Sequence, residues 1–102
     1  ARVIIRALGP SLPSRDVPDP LLDPTLELHD TNGILIATND NWKVNDHTGQ
    51  SSEAEVRASG HPPADDRESA IVTSVTPGVY TAIAHGKNNT VGVALIEAYL
   101  LP

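Results

Sequence analysis

The sequence predicts an all-β fold, an antiparallel β-sandwich of the jelly-roll or Ig-like type with an extended N-terminal strand. Glycine and proline interrupt the chain at short intervals, and the apolar runs between them are rich in valine, isoleucine, leucine and threonine. Most of these runs have a period of two, which is typical of strands that bury one face. The 102 residues are enough for one domain with a core of its own.

The first predicted strand, Ala1 to Leu8, is largely apolar and rich in β-branched residues. Such a strand must pair with a neighbour, either in the same molecule or in another copy. A proline-rich loop follows it, and prolines cannot donate the hydrogen bonds of a continuous ladder. We therefore predict an N-terminal strand in residues 1–12, an extended proline-rich arm in 13–24 and a β-sandwich domain in 25–102.

Two hairpins are predicted in the remaining chain. Residues 25–29 alternate, with Leu26 and Leu28 directed inward, and Thr31-Asn32-Gly33 supplies a tight turn into a return strand at 34–37. Residues 69–75 resume the β pattern, and a turn at 76–78 predicts that 79–85 is their antiparallel partner.

The segment between the hairpins, residues 38–67, is polar and is predicted to be a long surface excursion. It contains a stretch at 52–58 whose composition permits a short helix ended by Gly60. Trp42 is expected to fold onto the edge of the sandwich. The last strand, Val93 to Tyr99, is apolar on both faces, which favours the middle of the sandwich or an interface.

Composition excludes several classes of function. The chain has no cysteine, so it has neither disulfides nor thiolate metal ligands nor a thiol nucleophile. Its 13 acidic and 7 basic residues leave a net charge of −6, which repels nucleic-acid phosphates and anionic lipids. The apolar stretches are shorter than the ~20 residues of a membrane-spanning helix. We expect neither a nucleic-acid partner nor a membrane span.

A calcium site is one interpretation of the acidic loops. Asparagine and acidic residues cluster in residues 39–46 and 65–68, and calcium prefers hard oxygen ligands of this kind. The simpler interpretation is a solvated acidic surface, since no EF-hand spacing is present. The candidate metal ligands are Asp40, Asp65, Asp66 and Glu68.

No catalytic motif accompanies the histidines of the chain. Neither a Gly-x-Ser-x-Gly elbow nor a His-Glu-x-x-His pair is present. The protein is therefore predicted not to be an enzyme, and no catalytic residue is assigned. Asn88-Asn89-Thr90 matches the acceptor pattern for N-glycosylation in a loop, which makes Asn88 a candidate glycosylation site. The histidines, which we expect in surface strands and loops, are His29, His47, His61 and His85.

A set of motifs extends over nearly the whole chain. They are Arg6-Ala7-Leu8-Gly9-Pro10-Ser11-Leu12, Asp23-Pro24-Thr25-Leu26-Glu27-Leu28-His29-Asp30, Asn39-Asp40-Asn41-Trp42, Glu68-Ser69-Ala70-Ile71, Pro77-Gly78-Val79-Tyr80-Thr81-Ala82 and Gly92-Val93-Ala94-Leu95. Together they resemble a family of bacterial extracellular β-sandwich modules without assigned chemistry, which are distantly similar to calcium-associated domains that follow secreted peptidases. In that family another strand-forming stretch normally precedes the first motif. A sandwich without it would present an open groove for a strand from elsewhere.

These observations predict a non-catalytic structural subunit of a bacterial extracellular filament or pilus-like fibre, assembled head to tail by donor-strand complementation. The proline-rich arm would carry the first strand into the next copy, with an ordinary intramolecular strand as the equal alternative. The predicted donor residues are Val3, Ile4, Ile5, Ala7 and Leu8. The predicted groove wall is Val93, Leu95, Glu97 and Tyr99.

The expected location is extracellular or at the cell surface. Identical subunits are the expected partners, and surface glycans are candidate targets of adhesion. The alternative prediction is a calcium-associated binding or adhesion module within a larger secreted protein, with calcium as the only candidate cofactor.

Overall fold

The computed structural model describes residues 1–102 as two three-stranded antiparallel sheets with one α-helix. The elements are β1 (Arg2–Leu8), β2 (Pro24–His29), β3 (Leu35–Asn39), α1 (Glu53–Ala58), β4 (Ser69–Ser74), β5 (Thr81–Gly86) and β6 (Leu95–Leu101). The strand order is β4-β1-β6 in the first sheet and β3-β2-β5 in the second. The predicted all-β class is confirmed.

β1 is the central strand of the first sheet and contributes to the apolar core on both of its faces. Ile5 and Ala7 face the second sheet, whereas Ile4 faces the opposite side. Successive side chains of a strand point to opposite faces, so a continuous apolar run is expected where both faces are covered. The cluster between the sheets consists of Ile5, Ala7, Leu26, Leu28 and Ile71. The cluster on the other face of β1 consists of Ile4, Trp42, Val56 and Ala70.

The predicted first hairpin is confirmed in β2 and β3. Leu26 and Leu28 are both buried, as the alternation predicts. The turn contains Gly33 at a φ of 77°, a left-handed conformation that glycine adopts without steric cost. The pairing shifts register between Leu28 and His29, where a bulge interrupts the ladder.

The predicted second hairpin is wrong, because β4 and β5 belong to different sheets. β4 pairs with β1, and β5 pairs with β2. The link through Pro77 and Gly78 therefore crosses from one sheet to the other. Pairing with β1 buries Ser69, Ala70 and Ile71 of β4, which a hairpin with the half-exposed β5 would not achieve.

The polar segment 38–67 is not only a surface excursion, because it covers the outer face of the first sheet. Trp42 is buried, and its indole Nε1–H donates to the carbonyl oxygen of Asp65 at 3.1 Å. The predicted short helix is confirmed as α1, which buries Val56 against the same cluster. Trp42 therefore packs on the outer face of the first sheet, and not at the edge of the sandwich, where we expected it.

The predicted extended arm at 13–24 is wrong. Leu12 and Leu21 are buried, and a 3₁₀ turn at Leu12–Arg15 shortens the segment. Pro20 forms a bridge with Val93. Burying these leucines favours folding the segment onto the sheets over leaving it extended in solvent.

β6 is an edge strand, since its only strand partner is β1. The prediction of a central position for it is therefore wrong, and the alternative of an interface remains a prediction. No helix of the structure has the length and apolar character needed to cross a membrane.

The core between the sheets leads to the first testable prediction. We expect Leu28→Ala to lower the free energy of unfolding by about 2–5 kcal/mol, because it leaves a cavity at a side chain that is 1 % exposed. Leu100→Ala removes the same atoms at a position that is 74 % exposed, and it should change the free energy of unfolding by about 0.5 kcal/mol or less. Urea unfolding measures both, and equal losses would contradict the placement of the core.

Candidate assembly site

The structure buries the predicted donor residues within their own chain. Ile4, Ala7 and Leu8 are almost inaccessible to solvent, Ile5 is buried, and Val3 is half-buried. β1 is flanked on both sides, so none of its ladder edges is free. The slot that β1 occupies lies between β4 and β6.

Most of the predicted groove wall lies beside the predicted donor strand. In the antiparallel register of β1 and β6, Leu95 is opposite Leu8, Glu97 is opposite Arg6, and Tyr99 is opposite Ile4. The two predicted sets are thus brought together, in one chain. The fourth residue of the wall, Val93, lies before β6.

An ion pair between Arg6 and Glu97 fixes the register of β1 against β6. The Nε and Nη2 groups of Arg6 donate to Oε1 of Glu97 at 2.9 and 2.6 Å. The guanidinium also donates to the hydroxyl of Tyr99 at 3.4 Å and to the carbonyl oxygen of His61 at 3.3 Å. The His61 ring stacks on Tyr99 with 3.8 Å between the ring centroids. Because Arg6 is only 9 % exposed, this ion pair contributes more to the free energy of unfolding than a pair at the exposed surface would.

Opposing influences act on the carboxyl group of Glu97. Burial raises its pKa, but the hydrogen bonds of Arg6 and Tyr99 and the positive charges of Arg6 and Arg15 together lower it more, so the net pKa is below its ordinary value of 4.5. Glu97 therefore remains a carboxylate and retains its pair with Arg6 under mildly acidic conditions.

Glu68 anchors the turn that follows β1. Its carboxylate is fully buried and accepts hydrogen bonds from the backbone N–H groups of Gly9, Ser11 and Asp65 at 2.8, 3.0 and 3.1 Å. It also accepts one from the hydroxyl of Ser11 at 2.6 Å. A side chain at Gly9 would collide with the carbonyl oxygen of Leu21, so only glycine fits at this position. A buried carboxylate with this many donors is well satisfied.

Residues 16–20, here called the hinge loop, join this anchored turn to β2. Asp16 and Asp19 have φ angles of 62° and 56°, which are costly for residues other than glycine. Asp16, Pro18 and Asp19 are exposed. The end of the loop is held by Val93, whose N–H donates to the carbonyl oxygen of Asp19 at 2.9 Å. The hinge loop is thus a strained, exposed connection between two well-anchored parts.

One face of β6 is apolar and uncovered. Ile96 and Leu100 lie opposite Ala7 and Val3 in the ladder, and so point toward the same side as the core between the sheets. They are nevertheless 38 % and 74 % exposed. The sheets therefore do not close over each other along β6. Sequence reasoning assigned the groove wall to the opposite face of this strand, because an apolar run on both faces does not identify which face is covered.

The predicted metal ligands each have a partner of their own. Asp40 accepts a hydrogen bond from the Nζ of Lys87 at 2.6 Å, Asp65 pairs with Arg67, and Asp66 pairs with Lys43. The hydrogen bonds and charge of Arg67 lower the pKa of Asp65 despite partial burial. No three acidic, histidine or cysteine side chains form a group that could hold a metal ion. The structure thus does not bring the predicted calcium ligands together.

A carboxyl pair that sequence reasoning missed lies beside Lys87. Burial and the neighbouring charge of Asp40 raise the pKa of Asp23, although Lys87 opposes this shift. One oxygen of each carboxyl group, Oδ1, is buried without a partner. Nothing in the local sequence signals this pair, since the two residues belong to different segments.

The candidate glycosylation residue Asn88 lies in the exposed turn between β5 and β6, at a φ of 57°. Its glycosylation remains a prediction.

Comparison with protein-family models, curated proteins and solved structures finds no match.

The anchor at Glu68 leads to a prediction of stability. We expect Glu68→Gln to lower the free energy of unfolding by about 1–3 kcal/mol. Both carboxylate oxygens of Glu68 accept hydrogen bonds, and glutamine would replace one of them with an NH2 group that cannot accept and would face an N–H donor. Glu55→Gln, on the exposed surface of α1, is the matched control and should have little effect. Urea unfolding of both variants measures this difference. A free energy of unfolding that Glu68→Gln leaves unchanged would contradict the role of Glu68 as an anchor.

The lowered pKa of Glu97 predicts a pH dependence. Its stabilising contribution is complete above its ordinary pKa of 4.5 and is lost as the pH falls through the lower pKa of the folded chain. We therefore expect Glu97→Gln to be less stable than the natural protein at pH 7, and the difference to shrink at about pH 2–3. Urea midpoints at the two pH values measure this. A difference that stays constant with pH would contradict the charged pair.

Proposed function

We propose that the protein is a non-catalytic structural module of a bacterial extracellular filament, in which copies join head to tail by exchanging β1. In this proposal the two sheets form an open β-sandwich, and β1 of one copy fills the slot between β4 and β6 of the next. Location outside the cell belongs to the same proposal and rests on the motif resemblance.

The observation that carries the proposal is the position of β1. All its strand partners come from the far end of the chain, in β4 and β6. An identical strand from another copy would find the same apolar slot and the same ion pair between Arg6 and Glu97. Exchange of an identical element therefore keeps every contact of β1, which makes it a low-cost route to assembly.

The hinge loop supports exchange of residues 1–15 as a unit. The strained angles at Asp16 and Asp19 would be relieved if the loop extended, and strained hinge loops favour swapping over closure. The unit includes Gly9 and Ser11, so the bonds to Glu68 would form with the next copy. Because each copy would give to one neighbour and receive from another, such contacts are heterologous and build an open filament.

The uncovered face of β6 also supports an assembly role. Exposed apolar residues beside a free strand edge are typical of interaction sites. In the proposed filament, Ile96 and Leu100 would lie next to the exchanged strand, near the junction between copies.

A cysteine pair tests the exchange, since the chain has no cysteine of its own. Arg2 and Leu101 are opposite each other in the ladder of β1 and β6, at a separation that a disulfide can bridge. In Arg2→Cys/Leu101→Cys, we expect oxidation after refolding to give a ladder of disulfide-linked oligomers on denaturing gels, increasing with protein concentration.

The control is Glu27→Cys/Thr38→Cys, which joins β2 to β3 within one hairpin and should give monomers only. Deleting Val17 and Pro18 shortens the hinge loop and should increase the linked fraction of the test pair. If the test pair closes only within single chains at every concentration, with and without the deletion, the exchange proposal fails.

A further inference from the structure

Both ring nitrogens of His29 face oxygen acceptors. Nδ1 lies 3.2 Å from the carbonyl oxygen of Gly33 in the β2–β3 turn. Nε2 lies 2.9 Å from Oε1 of Glu27, on the same face of β2. A neutral imidazole has one N–H, so it can donate to only one of these oxygens, whereas an imidazolium donates to both. The geometry is therefore satisfied only when His29 carries a second proton.

We propose that His29 is a pH-dependent clamp, which as an imidazolium joins the β2–β3 turn to the sheet and on losing one proton releases the carbonyl group of Gly33. The remaining N–H is retained toward Glu27, because a hydrogen bond to a carboxylate is stronger than one to a neutral carbonyl group. The unprotonated Nδ1 then faces the carbonyl oxygen, acceptor against acceptor.

The charged groups around His29 favour the protonated form. Glu27 on β2 and Asp30 in the turn both raise the pKa of His29, the hydrogen bond to Glu27 being the largest cause. From β5, His85 lies 3.9 Å from the other carboxylate oxygen of Glu27, and Thr81 is directly opposite His29. β3 places the uncharged Leu35 opposite. His85 therefore does not compete with His29 for Oε1 of Glu27.

The turn that this clamp holds connects several parts of the molecule. Asp30 caps it by accepting from the N–H groups of Asn32 and Ile34, each at 2.9 Å. The hydroxyl of Thr31 donates to the carbonyl oxygen of Val79 at 2.9 Å, which attaches the turn to the segment before β5. Release at Gly33 thus loosens the end of the second sheet, where Ile34 is 58 % exposed.

The direction of the effect follows from the raised pKa. The stabilisation is complete below the ordinary histidine pKa of 6.5 and is lost as the pH rises through the higher pKa of the folded chain. The clamp is therefore closed in mildly acidic surroundings and opens as they become alkaline.

Amide exchange and histidine titration by NMR test the clamp. In the natural protein, we expect the protection factors of the Gly33 and Ile34 amides to fall by about two- to tenfold as His29 loses its proton, the equivalent of one net hydrogen bond. In Glu27→Gln, the titration of His29 should move to lower pH. In His29→Gln, the fall in protection should disappear.

His47→Gln is the matched control, because His47 lies on an exposed loop and should change neither measurement. The proposal is overturned if protection at Gly33 and Ile34 does not follow the titration of His29, or if the same fall persists in His29→Gln. It is also overturned if Glu27→Gln leaves the titration of His29 unchanged.

Discussion

The structure depends above all on β1 being the central strand of its sheet. Its alternate side chains enter two separate apolar clusters, with Ile5 and Ala7 on one face and Ile4 on the other. Its ladder joins β4 to β6, which make no ladder with each other. Removing β1 would leave both clusters incomplete and two strand edges unpaired, and the free energy of exposed apolar surface and unpaired backbone groups opposes this. The slot therefore requires an occupant.

The same constraint connects folding with the proposed assembly. Contacts that recognise β1 do not depend on which copy supplies it, because Arg6, Glu97 and the apolar slot are identical in every copy. In the proposed exchange, the hinge loop and the protein concentration would decide whether β1 fills the slot of its own chain or that of another copy. Glu68 holds the turn after β1 through backbone donors, and in the proposed exchange it would bind the same turn of the neighbouring copy.

Charge and apolar surface are distributed unevenly over the molecule. The chain has a net charge of −6, yet the one charged residue of β6, Glu97, is neutralised by Arg6 at 2.6 Å. Like copies repel less at an edge without net charge than at an acidic surface. In the acidic loops, Asp40, Asp65 and Asp66 pair with lysine or arginine. The exposed apolar strand β6 presents no uncompensated charge that would oppose association.

Several features were predictable from sequence because they depend on neighbours within a few residues. The period of two in residues 25–29, the turn glycine at Gly33 and the helix-forming composition near Val56 identify β2, β3 and α1. The apolar, β-branched run of β1 predicts a strand that needs a partner strand. The pairing of β1 with the last strand was also anticipated, although for a different copy.

The sequence by itself therefore determined the all-β class, the local strands and turns and the need of β1 for a partner. Only the tertiary structure decided that β4 and β5 enter different sheets, that the buried Glu68 carboxylate anchors the turn after β1, and that the proline-rich segment folds back. It also decided which face of β6 stays open. The physical reason is that turn and strand propensities are local, whereas sheet order, burial of a carboxylate and coverage of a face depend on residues far apart in the chain.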